Sequence, residues 1–163
     1  MDLCEISEGG QVMMILWMLI GGSPGSTAGG MKTTTIAILL LTSVAVFKRR
    51  GQVESHGRRI SDETIHSTIA VFMIYMILFF IGGMVISRAE KLPLLTCLFE
   101  TASALGTVGL SLGITSNLGF FSRTLLIIMM FLGRVGGLTL VYAAQSVRHS
   151  SCSIRPLEKV AVG

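Results

Sequence analysis

The sequence predicts an all-α membrane protein in which long helices cross the bilayer and short helices enter it only part of the way. Three observations carry this expectation. Hydrophobic residues make up 51% of the chain, charged residues only 13%, and the mean hydropathy is +0.74; a soluble domain carries roughly 25% charge. The basic residues Lys48, Arg49, Arg50, Arg58 and Arg59 gather between two apolar runs instead of spreading over a surface. Two apolar runs are also too short to span, and each leads into a glycine-rich segment. The first ten residues, MDLCEISEGG, are acidic and polar, so they do not read as a secretory signal.

Taken in order, the first apolar run is 12–20, VMMILWMLI, far short of the roughly 20 residues that a span needs. A Gly/Ser/Pro-rich segment follows it. The second, 33–47, is short for a span unless it borrows Gly30–Lys32. The third, 64–87, is long enough to cross. Leu94–Leu105 is short and again leads into glycine-rich chain, and 119–147 is long enough to cross. A short apolar helix followed by irregular backbone is not viable against lipid, because its amides and carbonyls stay unpaired. It is viable as a re-entrant element beside an aqueous path.

The two short pieces look like copies. At an offset of 80 residues, Ser26-Thr27-Ala28-Gly29-Gly30 aligns with Gly106-Thr107-Val108-Gly109-Leu110. Each copy reads as short helix, Thr-x-Gly loop, long helix, and such internal repetition is common in transport proteins. The chain is expected to begin inside the first copy. The basic loop KRRGQVESHGRR is expected on the cytoplasmic side. The 64–87 helix then runs outward, SRAEKLP lies outside, the second short helix dips in, and 119–147 returns to a cytoplasmic tail containing Arg148, Arg155 and Lys159. Arg123 falls on the outer side, against the rule, but the balance survives it.

The loops suit a cation. A dehydrated cation needs oxygen atoms in place of its water, and successive backbone carbonyls supply them where glycine frees the chain. Thr27, Ala28, Gly29 and Gly30 and then Thr107, Val108, Gly109 and Leu110 have that chemistry, each threonine adding a hydroxyl oxygen. The partially negative C-terminal end of each short helix would favour the ion. The plain alternative is a pair of glycine-rich turns between packed helices.

Other functions fit less well. The segment from Gly25 to Thr33 approaches a phosphate-binding loop, but Met31 separates Lys32 from the last glycine, and an apolar helix precedes it where a strand belongs. No acid/base constellation points to an enzyme. The basic cluster lacks the interleaved aromatics of a nucleic-acid surface. Cys4, Cys97 and Cys152 have no ligand spacing, and Cys97 reads as a small packing residue. His56, His66 and His149 show no metal pattern, so no cofactor is expected.

The stretches IGGSPGSTAGGMKTTT and LFETASALGTVGLSLGITSNL, followed by FLGRVGGLTL, resemble the third and fourth pore repeats of the Trk/Ktr/HKT potassium-transporter family. The likeness covers about Gly10 to Ala144. It implies voltage-gated-channel-like pore repeats of outer helix, re-entrant pore helix, filter loop and inner helix. Residues 1–50 would be a partial third repeat, 51–63 a cytoplasmic linker, 64–147 a fourth repeat and 148–163 a cytoplasmic tail. It implies potassium as the transported ion, Gly29 and Gly109 as filter glycines, and a multi-pass protein of the cell membrane. Its implied partners are the earlier pore repeats, a second pore subunit in a homodimer, and a cytoplasmic nucleotide-binding regulatory ring. Gly137 stands where the family's GRVGP run has proline, so the bend of the last helix is open.

Two charges remain in apolar chain. A charge at Arg134 costs a few kcal/mol on insertion scales and so faces a polar interior. The resemblance makes it a pore-facing gating residue; the alternative is an arginine satisfied by neighbouring carbonyls. Glu100 precedes the second loop and either holds backbone amides behind it or touches the ion. Lys32 is expected at the outer mouth or between repeats. The 163 residues alone are not expected to conduct, because two loops supply only two sides of an oxygen cage. A non-conducting membrane scaffold would share the same sequence.

Overall fold

The computed structural model describes residues 6–26, 28–49, 53–55 and 58–135. The expectations for Cys4, Thr27, Arg50, His56, Gly137, His149 and Cys152, and for the 148–163 tail, lie outside the described residues.

Five α-helices form the described fold: α1 (Glu8–Ile20), α2 (Thr33–Phe47), α3 (Asp62–Glu90), α4 (Leu94–Gly106) and α5 (Phe120–Val135). The helices fall on the apolar runs, with their ends set by polar chemistry. α1 starts ahead of its apolar run because the Ser7 hydroxyl accepts from Gly10 N, with Glu8 in the first turn. α3 starts at Asp62 because Ser61 Oγ accepts from Thr64 N, and Asp62 and Glu63 sit at the positive end of the helix. It ends where Lys91 turns left-handed at φ 55°.

One feature is not helical. Within the expected linker, β1 (Glu54–Ser55) pairs antiparallel with β2 (Arg58–Arg59), and Ile60 N donates to Val53 O at 2.9 Å. A short connection whose ends are tied to two helices folds back on itself and satisfies its own backbone groups. The exposed Arg59–Asp62 pair beside it, at 3.5 Å, adds little.

α3 has 29 residues, about 43 Å at 1.5 Å per residue, against a hydrocarbon core of about 30 Å. Among the described residues it is the one helix long and apolar enough to cross a membrane. It is apolar on both faces. Val71, Tyr75, Phe79 and Ile86 are buried against the other helices, while Met73, Ile77, Ile81 and Met84 are exposed on the opposite side. A helix with two apolar faces is a core helix or a membrane helix.

α4 is the centre. It packs against α1, α3 and α5, and every residue from Phe99 to Gly106 is buried. Cys97 is fully buried in the same helix. Missing side chains make the close approaches possible. A Cβ on Gly83 would press into Leu98, and one on Gly133 would run into the Leu105 backbone carbonyl. The Leu105 carbonyl cannot swing aside as a flexible side chain could. Gly133→Ala is therefore expected to push α5 off α4 and to cost about 1–3 kcal/mol, as overpacking does. Thermal unfolding in detergent measures it, with Gly9→Ala as control because nothing lies within 4 Å of that Cβ position. Equal midpoints for the two variants would show that α5 does not rest on α4.

Candidate functional site

The second glycine-rich segment begins where α4 stops. Thr107 caps the helix at φ 51°, ψ 38°, with its N–H donating to Ala104 O at 3.1 Å. A β-branched residue at positive φ is a conformational outlier, and such strain persists only where surrounding contacts impose it. One such contact is visible: Thr107 Oγ1 accepts from Gly29 N at 2.8 Å. Past Thr107 the chain comes to the surface, with Val108 44% exposed and Gly109 also exposed. Gly109 has φ 83° and open space around its missing Cβ. The glycine is needed for its backbone angle and not for room.

A single carboxylate anchors the far side of this segment. Glu100, 5% exposed, accepts at Oε1 from Ser111 Oγ (2.6 Å) and Leu112 N (3.0 Å), and at Oε2 from Thr115 Oγ1 (3.0 Å). Burial of a carboxylate is costly unless donors surround it, and here both oxygens are engaged. A cavity of about 340 Å³ lies alongside, lined by Glu100, Ser103, Gly109, Ser111 and Thr115 among others. Farther out, Glu90 accepts from Gly119 N (2.9 Å) and Ser122 Oγ (2.6 Å), which fixes the start of α5 against the end of α3.

The first glycine-rich segment has different surroundings. Ser23–Ser26 are exposed, whereas Gly29, Gly30 and Met31 are buried. Gly30 N donates to Gly133 O at 3.2 Å, and the same carbonyl accepts from Tyr75 Oη at 3.3 Å. Thr33 N donates to Gly22 O at 3.2 Å, closing the base of the loop. Lys32 folds back over it, donating from Nζ to Ala28 O (2.8 Å) and Ser26 O (3.3 Å).

The structure thus brings Ala28, Gly29 and Gly30 beside Thr107, but not in the register that the sequence repeat suggests. At the 80-residue offset Gly29 pairs with Gly109, yet it meets Thr107. Gly29 is buried where Gly109 is exposed, and the position matching Glu100 is Ile20, which has no polar group. Arg134 is exposed in the last described turn of α5, next to the Gly133 carbonyl. Sequence reasoning passed over Ser111, Thr115, Gly133 and Tyr75. The two hydroxyls four residues apart after the second loop were a readable signal for Glu100's partners; Tyr75, 58 residues from its acceptor, left none.

Residues 1–153 match the family described as TrkH: Cation transport protein. The chain is 37% identical over 146 residues to the potassium/sodium uptake protein NtpJ of Enterococcus hirae, covering 87% of this chain and 32% of that protein. Ktr system potassium uptake protein D of Bacillus subtilis is 33% identical over 162 residues, 99% of this chain and 36% of its own length. Protein B of the same system and organism is 33% identical over 151 residues, 93% and 34% respectively. The chain thus spans about a third of the length of the curated relatives it matches. The chain belongs to the TrkH family of cation transport proteins.

Proposed function

We propose that this chain forms part of the pore of a potassium transporter and that Thr107, Val108, Gly109 and Leu110 contribute backbone oxygens to its selectivity filter. The observation that carries this reading is an exposed, glycine-containing segment at the C-terminal end of a buried helix, braced from behind by Glu100. In this reading α4 is a re-entrant pore helix whose negative end faces the ion. Glu100 is a positioning residue, since its oxygens are spent on Ser111, Leu112 and Thr115.

The first loop takes a different part. Strands arranged round one pore axis meet at equal heights, so a second filter strand would present Gly29 opposite Gly109. Gly29 and Gly30 lie instead against Thr107, Gly106 and the Gly133 carbonyl, at the helix end where the second loop begins. This favours a barrier beneath the filter over a filter strand at Ala28–Gly30. α1 and α2, with 13 and 15 residues, measure about 20 and 22 Å, each short of a span. They read as halves of one crossing interrupted by the loop, with Arg134 beside the barrier as a gating residue. The relatives' names support potassium as the ion and partner subunits within a system; a homodimer of pore subunits and a cytoplasmic nucleotide-binding ring are part of the proposal.

Rubidium uptake into vesicles containing the assembled transporter tests the function: uptake down a gradient, competed by potassium, is expected. Uptake no faster than in empty vesicles would exclude a pore. Orientation is tested separately, after replacement of Cys4, Cys97 and Cys152. Gln52→Cys is expected to react only from the cytoplasmic side and Lys91→Cys only from outside. The reverse pattern would invert the multi-pass topology and place α4 on the wrong side of the membrane.

A further inference from the structure

The Gly21–Lys32 loop holds a positive charge against its own carbonyls. Lys32 Nζ lies 2.8 Å from Ala28 O and 3.3 Å from Ser26 O, and among the described residues it makes no ion pair. Its position works against it. Lys32 is the N-cap of α2, with no side-chain cap bond and no acidic residue in the first turn, so the ammonium sits at the positive end of a helix. Among the described residues, the two carbonyls are what offset that placement. An ammonium group and a potassium ion are monovalent cations of similar size, and both replace lost water with carbonyl oxygens.

We propose that the Ser26 and Ala28 carbonyls form a monovalent-cation site that the Lys32 ammonium fills, as a tethered stand-in for the transported ion. While it is filled, the loop keeps the shape that docks Gly29 N on Thr107 Oγ1 and Gly30 N on Gly133 O. Withdrawal of the ammonium opens the site to a free cation and weakens the latch. The inference rests on the reading of this loop as a barrier beneath the second.

The test uses the assembled transporter with Cys4, Cys97 and Cys152 replaced and a reporter cysteine at Ser23, an exposed residue of the loop tip. With Lys32 present, thiol labelling of Ser23→Cys should set a baseline rate that is indifferent to potassium. Lys32→Met keeps the length and removes the charge. It is expected to speed labelling several-fold, to raise rubidium flux by a similar factor, and to leave the potassium-to-sodium ratio unchanged. Potassium, and sodium less effectively, should then slow labelling again by occupying the vacated oxygens. If Lys32→Met does not assemble, Lys32→Gln, which retains a neutral donor for one carbonyl, must show the same potassium-dependent protection. A folded variant with unaltered labelling and flux overturns the proposal, as does faster labelling that potassium does not reverse. A failed filter reading looks different: Gly109→Ser would keep its ion preference while the labelling result stood.

Discussion

Gly109→Ser in the assembled transporter is expected to lower the preference for potassium over sodium about tenfold while leaving the fold intact. Gly109 sits at φ 83°, a region that costs an L-residue about 1–2 kcal/mol. A Cβ there meets nothing within 4 Å, so the substitution does not disturb packing. The strain is relieved by rotating the peptide planes on either side, and those planes carry the oxygens proposed to face the ion. About 1.4 kcal/mol lost from the difference between two ions is a factor of ten in their ratio. Gly29→Ser supplies the contrast. Its Cβ would lie 2.7 Å from the Thr107 side chain and 3.1 Å from Gly133 O, which forces the first loop away from the second. Flux should then change with little change in ion preference. Competitive uptake of rubidium and sodium measures both, and a folded Gly109→Ser protein with the original ratio would remove Thr107–Leu110 from the filter.

Glu100→Ala is expected to be the more damaging change, because it disturbs stability and selectivity together. It removes three contacts to a buried carboxylate and leaves the Leu112 N–H without that acceptor. Hydrogen bonds to charged groups contribute about 1.5–3 kcal/mol each, offset in part by the carboxylate's own desolvation cost. A net loss of about 3–5 kcal/mol follows, large against a typical folding stability of about 5–15 kcal/mol. Glu100→Gln keeps the shape and one acceptor oxygen. It should recover most of the stability, with Leu112 still bound and the contact to Ser111 or Thr115 reorganised. Unfolding midpoints in detergent and the potassium-to-sodium uptake ratio are the measurements. Glu100→Ala matching the parent protein in both would show that the carboxylate does not support the loop.

Much of this fold was legible because it is local. An apolar run long enough to cross, a serine followed by acidic residues at Ser61–Glu63, and a glycine after a buried helix each report on chain within one or two turns. Glu100 was legible for a related reason. A carboxylate in an apolar helix must find donors, and the hydroxyls of Ser111 and Thr115 stood close in sequence. The first loop was not legible in the same way. Thr27-Ala28-Gly29 and Thr107-Val108-Gly109 share a pattern, but a pattern of types does not specify which backbone lies across from which.

The sequence by itself determined the apolar, charge-poor character of this chain, where its described helices run, and that two glycine-rich segments follow short apolar helices. The likeness of its motifs to a transporter family was also complete in the residues. Only the tertiary structure decided that Gly29 meets Thr107 and not Gly109, that Gly30 and Tyr75 share the Gly133 carbonyl, and that Lys32 turns back onto Ser26 and Ala28. The physical reason is the reach of each signal. Hydropathy and capping are set by neighbours along the chain, whereas a contact across 78 residues depends on glycines that let two backbones approach, and an absent side chain does not name its partner.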